Sequence, residues 1–162
     1  MIKLDCIFVL GFLISASAHA NWTYKSIEDE MTGKTKQYAT IKSSNSLNLD
    51  FPYKGKNHVG ITLRRTPGNG ESIYISLDKG QIVCLETPCL VQVRFDQLPP
   101  ENYQAVASSD FDQSFIFLWE KEKFVKAANA ATQILIKLPI YQNGDNVVRF
   151  NSLKPLVWTY EK

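Results

Sequence analysis

Apolar and polar residues alternate one by one through most of this chain, and that pattern restricts the fold more than any other feature. A β-strand turns successive side chains to opposite faces, so period-2 runs of this kind are half-buried strands. Trp22-Thr23-Tyr24-Lys25-Ser26-Ile27 alternates, as do Tyr38 to Lys42, Leu47 to Phe51 and Val59 to Arg64. Between them lie turn-forming stretches: Met31 to Lys34, Ser43 to Ser46, and a loop from Pro52 to Asn57. In Thr66-Pro67-Gly68-Asn69-Gly70 the proline presets one dihedral, and glycine or asparagine accepts positive φ.

Strand patterns continue through Ile73 to Leu77, Tyr103 to Ala107, Ser114 to Trp119, Ile134 to Leu138, Val147 to Phe150 and Leu156 to Tyr160. Asn143-Gly144-Asp145 supplies a hairpin turn between two of them. One segment changes period. From Glu120 to about Thr132, Phe124, Ala127, Ala128 and Ala131 fall at i, i+3, i+4 and i+7, the stripe of a helix lying against a sheet. The expectation is a mainly β protein of about ten short strands with one α-helix near residues 120–132. Regular turn spacing makes it an antiparallel β-sandwich or barrel.

The first twenty residues stand apart from this pattern and read as a cleavable secretory signal. Lys3 is the positive end, Ile7 to Ile14 is a short apolar run, and Ala18 and Ala20 take the small positions of an A-x-A site. Cleavage after Ala20 leaves residues 21–162 as a single β-rich domain in the periplasm. No stretch approaches the roughly 20 apolar residues of a spanning helix, so no membrane span is expected; Lys3-Leu4-Asp5 before Cys6 does not resemble a lipoprotein box, so no lipid anchor is expected either. Lys3 and Asp5 leave together, so the formal charge stays at +2. A near-neutral balance does not predict nucleic-acid binding, which draws on clustered lysine and arginine.

Cleavage also removes Cys6 and leaves Cys84 and Cys89, an even count in an oxidising compartment, which favours a disulfide. The C-x4-C spacing lacks the form of a redox catalyst and has no partner histidines or cysteines for zinc. Gln81-Ile82-Val83 before the pair and Leu90 to Phe95 after it suggest a hairpin with the two cysteines facing each other across it.

Candidate chemistry is sparse. His58 is the one histidine left after cleavage, and no G-x-S-x-G elbow supplies it with a nucleophile. Ser108-Ser109-Asp110-Phe111-Asp112 clusters two carboxylates but lacks the glycine and distal glutamate of a calcium loop, and reads as a locally hydrogen-bonded turn. Trp22, Trp119 and Trp158 are expected as core or sheet-face anchors. Asn21-Trp22-Thr23 matches a glycosylation sequon, which the bacterial-type signal discounts. The strongest binding candidate is a basic patch of Tyr53, Lys54, Lys56, His58, Arg64 and Arg65, formed if their two loops share one end of the fold and suited to an anionic protein or envelope polymer.

The order of features resembles the TagO/VasI family of periplasmic accessory proteins associated with type VI secretion. Carrying the resemblance are Trp22-x-Tyr24, Asp29 to Lys34, Val91 to Asp96, Ser108-Ser109-Asp110, the Phe124 helix, and Leu138-Pro139-Ile140-Tyr141 before Val147 to Phe150. Met31-Thr32-Gly33 departs from that family's acidic turn, and the Cys84/Cys89 pair has no counterpart in it. The alternative is a separate family of small secreted bacterial or prophage-borne proteins. The resemblance implies a periplasmic, β-rich, non-enzymatic protein and assigns no site residues. The function expected is a periplasmic binding or accessory module that needs no cofactor. A periplasmic inhibitor of a lysozyme-type cell-wall hydrolase is the alternative, and an envelope hydrolase using His58, Asp110 and Asp112 comes third.

Overall fold

The computed structural model describes residues 20–161; the expected signal up to His19, with Cys6, lies outside them. Eleven strands and one short helix follow the alternation closely. In chain order they are β1 (Thr23–Glu28), β2 (Thr35–Lys42), β3 (Leu47–Leu49), β4 (Gly55–Asn57), β5 (Val59–Thr66), β6 (Gly70–Leu77), β7 (Cys89–Phe95), β8 (Glu101–Ala107), β9 (Phe115–Leu118), α1 (Lys121–Ala128), β10 (Gln133–Ile140) and β11 (Gly144–Asn151). Nine of the strands form one sheet in the order β1-β2-β5-β6-β9-β8-β7-β10-β11, and β3-β4 make a separate hairpin. Every ladder is antiparallel.

The sheet is strongly curled, with one face turned inward. Val59, Ile61 and Leu63 of β5 face Leu77, Ile75 and Ile73 of β6, and all are buried. Across the sheet, Ile134, Ile136, Leu138 and Ile140 of β10 and Val148 and Phe150 of β11 enter the same core cluster. The two ends of the sheet approach each other without joining in a ladder. Ser44 N–H donates to the Arg149 carbonyl at 2.7 Å, and Ala20 N–H to the Asn151 carbonyl at 2.7 Å.

Both ends of the curled sheet are plugged. At what we call the lower pole, the β3-β4 hairpin buries Leu47 and Leu49, and Ile82 joins the same core. At the upper pole α1 inserts Phe124, which is fully buried and meets the rings of Phe95 and Tyr103 edge-on at 5.4 and 6.0 Å. The helix ends at Ala128 instead of Thr132. Asn129 and Ala130 are exposed and the chain turns there into β10. Burial of Phe124, Val125 and Ala128, more than the intrinsic propensity of so short a segment, holds it helical.

Three expectations change. Gly55 to Asn57, read as loop, is a short strand because its backbone completes the plugging hairpin with β3. The C-terminal segment buries its side chains as a strand would, with Leu156 and Trp158 buried and Val157 and Thr159 exposed. It pairs with no strand, however, and runs as an extended strap across the upper pole. Trp119 is half-exposed, whereas Trp22 and Trp158 are buried at 9% exposure each.

Candidate binding site

The disulfide joins Cys84 to Cys89 with their Cα atoms 5.3 Å apart. Its expected hairpin is absent. Ile82 instead bridges to Ile140 of β10, and Val83 N–H donates to the Pro139 carbonyl at 2.8 Å. The bond therefore closes an irregular loop that crosses the lower pole from β6 to β7.

The basic patch separates into parts. Tyr53, Lys54, Lys56 and His58 sit at the lower pole before β5 begins, whereas Arg64 and Arg65 lie near its upper end. The extended chain from His58 to Arg64 spans about 20 Å. The two arginines also face opposite ways, as consecutive strand residues must. Arg64 lies on the outer face, donating from Nε to Ser72 Oγ at 3.1 Å and standing over the Tyr74 ring at 5.9 Å. Arg65 turns inward.

His58 does meet a serine and an aspartate, but not as a proton relay. Its Nδ1 lies 3.2 Å from the Ser43 carbonyl, an acceptor only, so Nδ1 carries the proton and cannot take one from Ser43 Oγ at 3.3 Å. That hydroxyl donates to the Asn45 carbonyl at 2.7 Å and accepts from Val59 N–H. Asp78 accepts the backbone N–H of His58 and pairs with Lys42 at 3.2 Å, so it is not the imidazole's partner. Asp110 and Asp112 form the expected local turn: Ser108 Oγ and Asp112 N–H donate to Asp110, and Ser114 N–H to Asp112. The Ser108 hydroxyl, then the Asp112 amide, holds the Asp110 carboxyl below the usual carboxylate range. Among the described residues no group of three or more His, Cys, Asp or Glu side chains is placed to hold a metal ion.

The feature that the residue-type search missed is at the upper pole. Arg65 faces Glu71 directly across β5-β6, and both lie on the inward face. Glu71, with 3% of its side chain exposed, accepts from Arg65 Nη2 at 2.5 Å and Nε at 2.8 Å, from Trp158 Nε1 at 3.2 Å and from Glu161 N–H at 3.2 Å. Arg65 also donates to Gln37 Oε1 at 2.9 Å and to the Thr159 carbonyl, and lies over the Trp158 ring at 5.0 Å. Lys121 Nζ donates to the Glu71 carbonyl. Glu71 thus ties three elements together: its buried carboxylate holds Arg65 and the C-terminal strap, and its backbone carbonyl holds the helix. The signal was available: Glu71 occupies an inward position in the same alternation as Ile73, Ile75 and Leu77.

Beside this clasp, β1 offers an open edge. Asp29 N–H donates to the Lys34 carbonyl, so in this register the odd-numbered residues of β1 direct their amides at β2. Tyr24, Ser26 and Glu28 therefore direct theirs away from it. Ala20, of the same parity, does so too, which is why its N–H reaches Asn151. The strap climbs along this edge, touching it through side chains: Leu153 N–H donates to Asn21 Oδ1 at 3.2 Å and Val157 N–H to the Tyr24 hydroxyl at 2.9 Å. The Tyr24–Val157 contact divides the space between edge and strap into two cavities. One, of about 320 Å³, is lined by Trp22, Leu153, Pro155 and Val157 and is mostly apolar. The other, of about 380 Å³, is lined by Ser26, Gln37, Arg65, Thr159 and Glu161 and is more polar.

Comparison with family models, with curated proteins and with solved structures gives no match.

Proposed function

We propose that this protein is a periplasmic binding or accessory module that holds an extended segment of a protein partner along the free edge of β1. The observation that carries the reading is the pairing of unsatisfied strand-edge amides with two side-chain cavities at the same place. Strand addition uses those two elements: main-chain hydrogen bonds give affinity, and pockets for alternate side chains give selectivity. Tyr24, Ser26 and Glu28 offer the amides. Inward-pointing side chains two residues apart on an added strand would fall on either side of Tyr24, an apolar one beside Trp22 and Pro155 and a polar one near Arg65 and Glu161. The periplasmic assignment rests on the signal and is supported by the disulfide, which an oxidising compartment maintains. An accessory role in secretion, as the resemblance implies, suits a module that grips protein segments. No helix among the described residues is long and apolar enough to cross a membrane.

The test introduces a photo-crosslinking residue at Thr159, on the far wall of the groove, in cells. One dominant protein adduct is expected, and Ser26→Pro should abolish it. Proline deletes the central outward N–H and leaves the β2 ladder intact, because an edge strand tolerates it on its solvent side. An adduct unchanged by Ser26→Pro would sink the reading. So would a partner crosslinked equally well through residues of the lower pole.

A further inference from the structure

The two consecutive arginines of β5 differ in what they touch. Arg65 is saturated by Glu71, Gln37 and the strap. Arg64, on the outer face, has no carboxylate within ion-pair distance among the described residues. Its Nε donates to Ser72 Oγ at 3.1 Å, and its guanidinium carbon stands 5.9 Å from the centre of the Tyr74 ring. Those two contacts hold the guanidinium in place, and both Nη groups remain without an acceptor among the described residues. The result is a planar fork set for bidentate recognition of an oxyanion.

Arg64 lines a cavity of about 270 Å³ together with Lys36, Tyr38, Thr66, Asn69 and Ser72. Strand register builds it. Tyr38 stands opposite Arg64 across β2-β5, Arg64 opposite Ser72 across β5-β6, and Thr66 opposite Gly70 at the closing turn. No carboxylate lines this cavity. Glu71, although next to Ser72, turns to the opposite face, where it meets Arg65. Asp29 comes only within 3.9 Å of Lys36 Nζ and is occupied by the amides of Met31 and Thr32 at 3.1 Å each. The Tyr38 and Thr66 hydroxyls and the Asn69 side-chain amide donate to nothing else among the described residues. The turn itself is closed by Asn69 N–H on the Thr66 carbonyl at 3.0 Å.

We propose that this outer-face cavity binds a sugar phosphate, with the phosphate on Arg64 and Lys36. A carboxylate would satisfy the Arg64 fork alone and leave the other donors unused. A phosphate monoester carries about −1.5 to −2 at neutral pH and has three terminal oxygens. Its charge matches the two cations, and its further oxygens reach the neutral donors. A single water needs about 10–15 Å³ of such space, so the cavity has room for more than the oxyanion. No aliphatic side chain lines it. The body attached to the phosphate is therefore one that hydrogen-bonds over its surface, which suits a sugar and not an acyl chain. Tyr38 also lines the polar cavity of the β1 groove, so the test leaves it untouched. The proposal stands independently of the strand-addition reading.

The experiment titrates the processed protein with glucose 6-phosphate, inorganic phosphate and glucose, read by calorimetry and by amide NMR. Glucose 6-phosphate should bind, inorganic phosphate more weakly and glucose not at all, with shifts concentrated on the amides of Thr66 to Ser72. Arg64→Gln should weaken binding at least tenfold, the size expected for losing a charge-assisted pair of hydrogen bonds. Lys36→Gln should weaken it roughly threefold, as for a more exposed charge. Lys54→Gln, at the lower pole, should leave it unchanged, and melting curves should show all three variants folded. Absence of wild-type binding at millimolar glucose 6-phosphate would overturn the inference. So would binding that Arg64→Gln leaves intact, or that Lys54→Gln weakens as much. Equal affinity for inorganic phosphate would assign the cavity to an oxyanion alone and overturn the sugar phosphate.

Discussion

Replacing Glu71 should do more damage than replacing any exposed charge, and the clasp geometry sets the size. In Glu71→Ala, Arg65 loses the acceptor at 2.5 and 2.8 Å, and the Trp158 indole N–H and Glu161 N–H lose theirs. Removing one member of a buried ion pair costs about 3–5 kcal/mol, because the other charge stays buried without compensation. Arg65 keeps 20% side-chain exposure and still reaches Gln37, the Thr159 carbonyl and Glu161. Those contacts reduce the expected loss to about 2–4 kcal/mol. With a urea m-value of about 2 kcal/mol/M for a domain of this size, the midpoint should fall by about 1–2 M. Release of the strap should also expose Trp158 and shift tryptophan emission to the red. Arg65→Ala with Glu71→Ala should cost little more than either change alone, because the second removal relieves the orphaned charge. Such a cycle should show coupling of at least about 1.5 kcal/mol. Coupling below about 0.5 kcal/mol would mean that the clasp is ornamental and that the strap is held by Leu156 and Trp158 packing alone.

Three further outcomes follow from the core and the loops. Burial, with smaller contributions from the Glu101 and Glu120 carboxylates, pushes the Tyr103 hydroxyl up to about 12. The unfolded chain loses this proton first, so the stabilisation is fully present below about pH 10 and falls by about 2–3 kcal/mol as pH rises to 12. Tyr103→Phe should flatten that slope in urea titrations, and an unchanged slope would refute the assignment. Cys89→Ser should cost about 2 kcal/mol, the chain-entropy value for so short a loop, and calorimetry of the reduced wild type should match it. Gly80 has φ 119, and an added Cβ would lie 2.8 Å from Leu77 Cδ2 and 3.2 Å from Leu49 Cδ1. Gly80→Ala should therefore cost about 2–4 kcal/mol in strain and overpacking. Gly33→Ala, at positive φ but with nothing within 4 Å, should cost only the strain; equal losses in thermal melts would refute the packing argument.

Alternation made the strands legible because each buries one face, and it does so even at the C-terminus, where it misleads. Leu156 and Trp158 bury and Val157 and Thr159 do not, yet the strap takes no place in the ladder, because its backbone groups are met by the Ala128 carbonyl at the helix end, which accepts from Leu156 N–H, and otherwise by side chains. The Tyr24 hydroxyl receives Val157 N–H, Asn129 Nδ2 donates to the Trp158 carbonyl, and Arg65 donates to that of Thr159. A period reports which side chains are buried and is silent on what satisfies the backbone. The same limit explains the cysteine loop. Its flanks look like two halves of a hairpin, but Ile82 and Val83 bond to β10, a strand far later in the chain that no local pattern could name.

The candidate site was less legible than the fold, because residue type was weighed without register. Arg64 and Arg65 share a charge and adjoin in sequence, which suggests one patch with the lysines. Consecutive residues on a strand face opposite ways, so at most one could join an outward patch. The turn at Pro67 to Asn69 pairs Arg65 with Glu71, and Glu71 falls in the inward set with Ile73 and Ile75. A carboxylate among inward apolar residues needs a partner at the same depth, and Arg65 is the cation that this hairpin places directly opposite it. The pairing that closes the upper pole was thus available from one turn and one alternation, whereas the open edge of β1 was not. Its exposure depends on Ala20 N–H meeting the Asn151 carbonyl at the end of β11, a relation between the first and last strands that only the curled sheet reveals.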